Sequence, residues 1–163
     1  MVYFVQARYA AAEPVYRRTL AILDKNPILQ AQQIAAVGIE LAELYRVQGR
    51  NMEAETLYER VIATEDKTPG PEHLEVGPSL FALADLYRQE GRYDKAEPLY
   101  RRALAILEEQ PARSPGLANG LKSFASMLRH MKRKTEAVAL EARAKAILRG
   151  QQQVQAFIAT NPH

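Results

Sequence analysis

The chain has 163 residues, 47% of them hydrophobic and 25% charged, with no cysteine, no tryptophan and a formal net charge of +3. No apolar run approaches the ~20 residues of a membrane-spanning helix, and a chain without cysteine has no disulfide, thiolate zinc site or cysteine nucleophile. Charge is unevenly spread. Residues 1–111 carry 13 Lys/Arg against 17 Asp/Glu, whereas residues 112–163 carry 9 against only Glu136 and Glu141. Such asymmetry fits an anionic partner, head-to-tail stacking of copies, or a solvated basic face on the last helices.

Taken in order, the elements repeat every 42 residues. Residues 1–25 read as a truncated first copy. Val2-Tyr3 align with Leu44-Tyr45, so only the last turn of an opening helix remains, and Arg8 to Arg18 match Arg92 to Arg102. The opening residues have no basic segment before a long apolar stretch, which predicts no signal peptide and a cytoplasmic location. Residues 26–67 form the second copy and 68–110 the third; between 41–62 and 83–104, 12 of 22 positions are identical. Leu41-Ala42-Glu43-Leu44-Tyr45-Arg46 returns as Leu83-Ala84-Asp85-Leu86-Tyr87-Arg88, and Gly49-Arg50 as Gly91-Arg92. Residues 111–149 are a degenerate terminal copy offset by 41, with Phe124-Ala125 in place of Leu83-Ala84, Lys132 in place of the glycine and Glu141 in place of the second-helix aromatic. The tail, 150–163, is a capping helix or disordered.

Each copy reads as two helices. Leu80, Leu83, Ala84, Leu86 and Tyr87 share one face of a 3.6-residue period, and Ala96, Leu99, Tyr100, Ala103 and Leu104 share another. Gly91 between them suits a helix C′ position. Asn26-Pro27 and Ser114-Pro115 look like helix starts, with proline in the first turn. Strand alternation is absent. The predicted class is all-α: a right-handed α-solenoid of stacked antiparallel helix pairs over 1–149.

These residues resemble the tetratricopeptide repeat family. Leu80, Leu83-Ala84, Tyr87, Gly91, Ala96, Tyr100 and Ala103 meet its pattern, and the 42-residue length with the Gly70-Pro71-Glu72-His73 connector is similar to the kinesin-light-chain-like subclass, found also in bacterial scaffold proteins. The resemblance implies a non-catalytic scaffold whose first helices line a concave groove for a peptide or partner helix. Carried over, the groove positions are Ile39, Glu40, Glu43, Arg46 and Val47, then Phe81, Ala82, Asp85, Arg88 and Gln89, then Lys122, Ser123, Ser126, Arg129 and His130. Arg46, Arg88 and Arg129 form a ladder suited to carboxylates or backbone carbonyls. Within it, Glu43–Arg46 and Asp85–Arg88 are equally readable as i,i+3 pairs that steady their own helices. Ser126 offers Arg129 no acid, which makes Arg129 the freest cation. Phe81 reads either as an aromatic anchor or as a side chain leaning into the seam between helix pairs. Kinesin light chains place asparagines before the Leu-Ala pair, and chaperone-binding relatives use a Lys/Asn/Arg clamp; Ile39-Glu40, Phe81-Ala82 and Lys122-Ser123 reproduce neither.

Chemistry is sparse. His73, His130 and His163 lie apart, with no second ligand at metal spacing, and His73 reads as a loop-packing residue. No phosphate loop, nucleophile elbow or zinc-protease motif is present. No enzyme, cofactor or metal is expected. Two further partner readings stand beside the groove. One is self-assembly through the uncapped N-terminal half-repeat bearing Tyr3, Phe4 and Tyr16, since stacked repeats need polar caps. The other, ranked last, is nucleic-acid binding by Arg129, Lys132, Arg133, Lys134 and Arg143, which lack interleaved stacking aromatics.

Overall fold

The computed structural model describes residues 2–26, 30–67, 76–108 and 116–160. Seven helices lie among them: α1 (Val2–Leu23), α2 (Ala31–Val47), α3 (Asn51–Glu65), α4 (Val76–Gln89), α5 (Tyr93–Leu107), α6 (Leu117–His130) and α7 (Lys134–Thr160). No strand occurs among the described residues. Helices α2/α3, α4/α5 and α6/α7 pack as antiparallel pairs, and successive pairs stack into a right-handed α-solenoid. Each first helix also touches the next first helix, α2 to α4 and α4 to α6.

Small side chains set the spacing within a pair. Ala42 and Ala54, Ala84 and Ala96, and Ala125 and Ala137 occupy matching places, and all six are wholly buried. Without a bulky group there, the helices approach closely, and the large residues interdigitate beside them. Leu80, Leu86, Tyr58, Tyr100, Leu121 and Met127 fill that space.

The turn inside each pair has one geometry. Gly49 and Gly91 sit at φ +74° and +73°. Their amides donate to Arg46 O and Arg88 O, and the following Arg50 and Arg92 amides reach back to Tyr45 O at 2.8 Å and Tyr87 O at 2.9 Å. This is the Schellman arrangement, in which a left-handed residue satisfies the orphan carbonyls of a helix end. The terminal copy keeps the turn without the glycine. Lys132 adopts φ 62°, and the Arg133 amide bonds Leu128 O at 2.8 Å.

Both ends depart from the sequence reading. Val2–Arg8 do not form the last turn of a separate opening helix; they run straight into α1. Ala7 stands where Gly49 and Gly91 stand, and an alanine in helical backbone continues the helix where glycine ends it. At the other end Gly150–Thr160 prolong α7 to 27 residues, against 15 for α3 and α5, so this stretch does not fold back as a separate cap. Helix α2 begins at Ala31 and α6 at Leu117, later than Pro27 and Pro115. Those prolines, the Gly70–His73 connector and His163 lie outside the described residues, as do the side chains of Tyr3 and Phe4.

Candidate peptide-binding groove

Helices α2, α4 and α6 bring the expected groove residues into three adjacent rows. Two hydrogen bonds tie the rows together: Arg46 Nη1 donates to Gln89 Oε1 at 3.2 Å, and Ser123 Oγ donates to Asp85 Oδ2 at 3.3 Å. Ile39 and Ala82 are half-buried between polar neighbours, while Glu40, Val47, Gln89 and Lys122 are exposed.

The groove acids Glu43 and Asp85 are each held from behind by a tyrosine. Tyr58 Oη donates to Glu43 Oε1 at 2.5 Å, and Tyr100 Oη to Asp85 Oδ1 at 2.6 Å. Burial first, and then the neighbouring carboxylate, push both phenols well above the ordinary tyrosine range, so they act as neutral donors. The outer oxygen of Glu43 accepts Arg46 Nε at 2.9 Å and Nη2 at 2.6 Å. With Nη1 on Gln89, Arg46 is engaged at all three nitrogens. Arg88 is different. Only its Nε bonds Asp85, at 3.0 Å, and no carboxylate among the described residues accepts from its two terminal amino groups.

The terminal pair overturns the expectation for Arg129. Glu141 on α7 grips it with two bonds of 2.7 Å, Nε to Oε1 and Nη2 to Oε2. Glu141 occupies the place of Tyr58 and Tyr100, and Ser126 that of Glu43 and Asp85. The carboxylate has moved from first helix to second and still meets the same arginine. Arg129 holds the Glu141 carboxyl below the usual carboxylate range. Arg129 is therefore not the freest cation. His130 is turned to its own helix, with Nδ1 2.8 Å from Ser126 O, and its ring lies 6.5 Å from that of Tyr93.

Phe81 is also corrected. It is 7% exposed, not displayed. Its ring lies 6.1 Å from Tyr100, and the edge of the ring fills the notch left by Gly120 on α6, where an added Cβ would come within 2.2 Å. Phe81 belongs to the seam between helix pairs.

Three arginines of the basic C-terminal end are paired with acids. Arg133 pairs with Glu97 at 2.6 Å and Glu136 at 2.7 Å, Arg143 pairs with Glu108, and Arg129 with Glu141. Of the five residues expected to form an anion site, three are occupied by acids.

A family model for the tetratricopeptide repeat matches residues 33–109, the two best-matched helix pairs. Over those residues the chain is similar to the tetratricopeptide repeat. No curated protein sequence shows significant similarity to it. Among solved structures, the array resembles BtubC (BKLC) from P. vanneervenii at 22% identity and TM-score 0.76, over 90% of this chain. It spans 59% of that protein. It also resembles a kinesin-light-chain-type protein from Podosopora anserina with nearly identical TPR-like repeats, at 26% identity and TM-score 0.66, over 93% of this chain and 72% of the other. A second structure of that protein matches at 25% identity and TM-score 0.64, over 92% and 72%. Tetratricopeptide repeats generally mediate protein–protein interaction and scaffolding, and the family is typically non-catalytic. Among the described residues no His/Asp/Glu cluster could hold a metal ion, and no helix is long and apolar enough to cross a membrane.

Two inter-repeat ladders of this array escaped the sequence reading. Arg50, Arg92 and Arg133, each placed by its turn, reach back to Glu13, Glu55 and Glu97 of the preceding second helix at 2.8, 2.6 and 2.6 Å. The guanidiniums of Arg50 and Arg92 also lie 4.2 and 4.3 Å from the ring centres of Tyr45 and Tyr87. Later on the second helices, Arg60, Arg102 and Arg143 pair with Asp24, Asp66 and Glu108. The signal was present in the sequence. The Gly-Arg and Ala-Glu dipeptides return at the repeat period, and a charge fixed at that period is placed to meet its complement one repeat away.

Proposed function

We propose that the chain is a non-catalytic interaction scaffold whose concave face, formed by α2, α4 and α6, holds a peptide or helix of a partner protein. The carrying observation is the open fork of Arg88 at the centre of that face. Its Nε is anchored to Asp85, which Tyr100 and Ser123 hold in turn, so the terminal amino groups are oriented without being used up. A fixed guanidinium whose terminal amino groups meet no carboxylate among the described residues suits a carboxylate or a backbone carbonyl, and pre-orientation reduces the ordering cost of binding. Ile39 and Ala82 supply the apolar floor; Gln89, Lys122 and Ser126 supply further polar contacts. Arg46 and Arg129 act through Glu43 and Glu141 and shape the walls.

The test is selection of peptides from a displayed library on the intact chain, followed by affinity measurement on two variants. Arg88→Ala is expected to weaken selected peptides about tenfold or more, the effect of losing a charge-assisted contact. Arg101→Ala, on the second-helix side, is expected to leave them unchanged. Peptides bound equally by wild type and Arg88→Ala would overturn the groove assignment.

A further inference from the structure

Salt bridges join each second helix to the next, Arg60 of α3 to Asp24, Arg102 of α5 to Asp66 and Arg143 of α7 to Glu108. The seams between these helices are floored by the end of a first helix. In two of the three seams an arginine of one wall lies against that floor. Between α1 and α3, Arg17 donates from Nε to Tyr45 Oη at 2.9 Å. Arg101, at the matching place, crosses from α5 to α7. Its Nη2 meets Glu97 at 2.7 Å and Glu136 at 3.4 Å, and its guanidinium carbon lies 5.6 Å from the ring centre of Phe124. The middle seam, between α3 and α5, departs from both. Glu59 stands at the arginine's place, and Asp94 stands where the outer seams have Met52 and Thr135. The middle seam opens as a cleft of about 530 Å³. Ile62 and Leu83 are buried at its base and Leu99 is half-buried, while Glu59 on α3 and Asp94 on α5 are exposed on its two walls. The seam between α1 and α3 opens to about 570 Å³, but there Arg17 and Arg60 balance Asp24 and Glu53. In the middle cleft Asp66 is taken by Arg102, and Lys95 is turned to Glu55 at 3.9 Å, with its ammonium 5.4 Å from the Tyr87 ring centre. Glu59 accepts the Tyr87 hydroxyl at 3.3 Å. Neither Glu59 nor Asp94 pairs with a cation among the described residues.

We infer that the cleft between α3 and α5 is a second docking site, apart from the concave face, and that its occupant is an arginine side chain presented by a partner protein. The methylene stem of an arginine covers Ile62, Leu83 and Leu99 while its charged head stays at the wet rim. There the planar fork offers donors to Glu59 on one wall and Asp94 on the other, which a compact ammonium serves less well. The seam between α5 and α7 makes the same contacts internally: Arg101 lies across two helices, with carboxylates on both and an apolar ring beneath. An acidic side chain is repelled by Glu59 and Asp94, and a purely apolar one leaves both without a partner.

The probe is a capped peptide of one arginine flanked by alanines, titrated into the intact chain and followed by backbone amide chemical shifts. It is expected to bind saturably with a Kd of about 1–10 mM, moving the amides of Ile62, Ala63, Asp94, Lys95 and Leu99. Citrulline in place of the arginine keeps its shape without its charge and is expected to bind about tenfold more weakly, the effect of losing charged hydrogen bonds. Glu59→Gln combined with Asp94→Asn, both at exposed positions, is expected to abolish the shifts while circular dichroism stays unchanged. Lys95→Glu, which puts in this seam the acid the outer seams carry as Glu53 and Glu136, is expected to tighten binding about threefold. Arg88→Ala leaves the shifts in place, so the cleft is tested independently of the groove. No saturable shift by about 20 mM peptide, equal binding of the citrulline peptide, or weaker binding to Lys95→Glu would overturn the inference. So would shifts that survive the Glu59→Gln/Asp94→Asn change, or that run along α2, α4 and α6 instead.

Discussion

Gly120→Ala isolates the contact that removes Phe81 from the binding surface. Position 120 lies within α6, where alanine is intrinsically favoured over glycine by about 1 kcal/mol. Helix propensity alone therefore makes the variant more stable. Packing opposes it: the new Cβ would sit 2.2–2.5 Å from three carbons of the Phe81 ring. The ring is buried beside Tyr100, which is itself wholly buried and stacked on Phe124 at 5.0 Å. Displacing a ring packed in this way costs about 2–3 kcal/mol, leaving a net loss of about 1–2 kcal/mol. For a chain of this size that lowers Tm by about 2–8 °C. Urea unfolding followed by far-UV circular dichroism measures the loss directly. In a Phe81→Leu background the ring edge is gone, and Gly120→Ala is expected to stabilise by about 1 kcal/mol instead. Stabilisation of both backgrounds by the same amount would refute the seam placement of Phe81.

Three further outcomes follow from the same geometry. Tyr100→Phe strips Asp85 of a buried donor and is expected to cost about 1.5 kcal/mol, whereas Tyr16→Phe, which faces no carboxylate, is expected to be near neutral by urea midpoint. Lys132→Gly relieves a side chain held at φ 62° and is expected to raise stability by about 1 kcal/mol, read by the same assay. Arg92 and Arg133 hold the Glu55 and Glu97 carboxyls below their ordinary values. A carboxylate whose folded pKa is depressed stabilises the fold above its unfolded pKa and loses that contribution as pH falls through the folded one. Thermal stability is therefore expected to fall as pH drops below the ordinary carboxylate value of about 4.5, and the Glu55→Gln/Glu97→Gln double variant to show a shallower fall. Parallel acid profiles for the two proteins would contradict the ladder.

The packing was legible because it rests on residue size repeated at a fixed spacing. Ala42, Ala84 and Ala125 announce close helix contact from composition alone, and Gly49 and Gly91 announce a turn. Phe81 stayed open between anchor and seam in the sequence, because its hole is a glycine 39 positions away that breaks the repeat: Gly120 stands where α2 has Val37 and α4 has Ser79. Arg129 misled for a related reason. Its expected acid at 126 is missing, and the replacement, Glu141, took the place of an aromatic on the other helix. In both cases the repeat predicts a position and a compensating substitution elsewhere decides its role. The helix ends were hard for a local reason. Ala7 differs from glycine only by a methyl group, yet that difference merges the remnant of an opening helix into α1.

Backbone amide chemical-shift mapping during titration with a selected peptide addresses the groove itself. The account predicts perturbations running across α2, α4 and α6 at Ile39, Ala82, Arg88, Gln89, Lys122 and Ser126, with α3 and α5 quiet on their outer faces. Shifts confined to the outer faces of the second helices, with Arg88 and its neighbours unmoved, would contradict it.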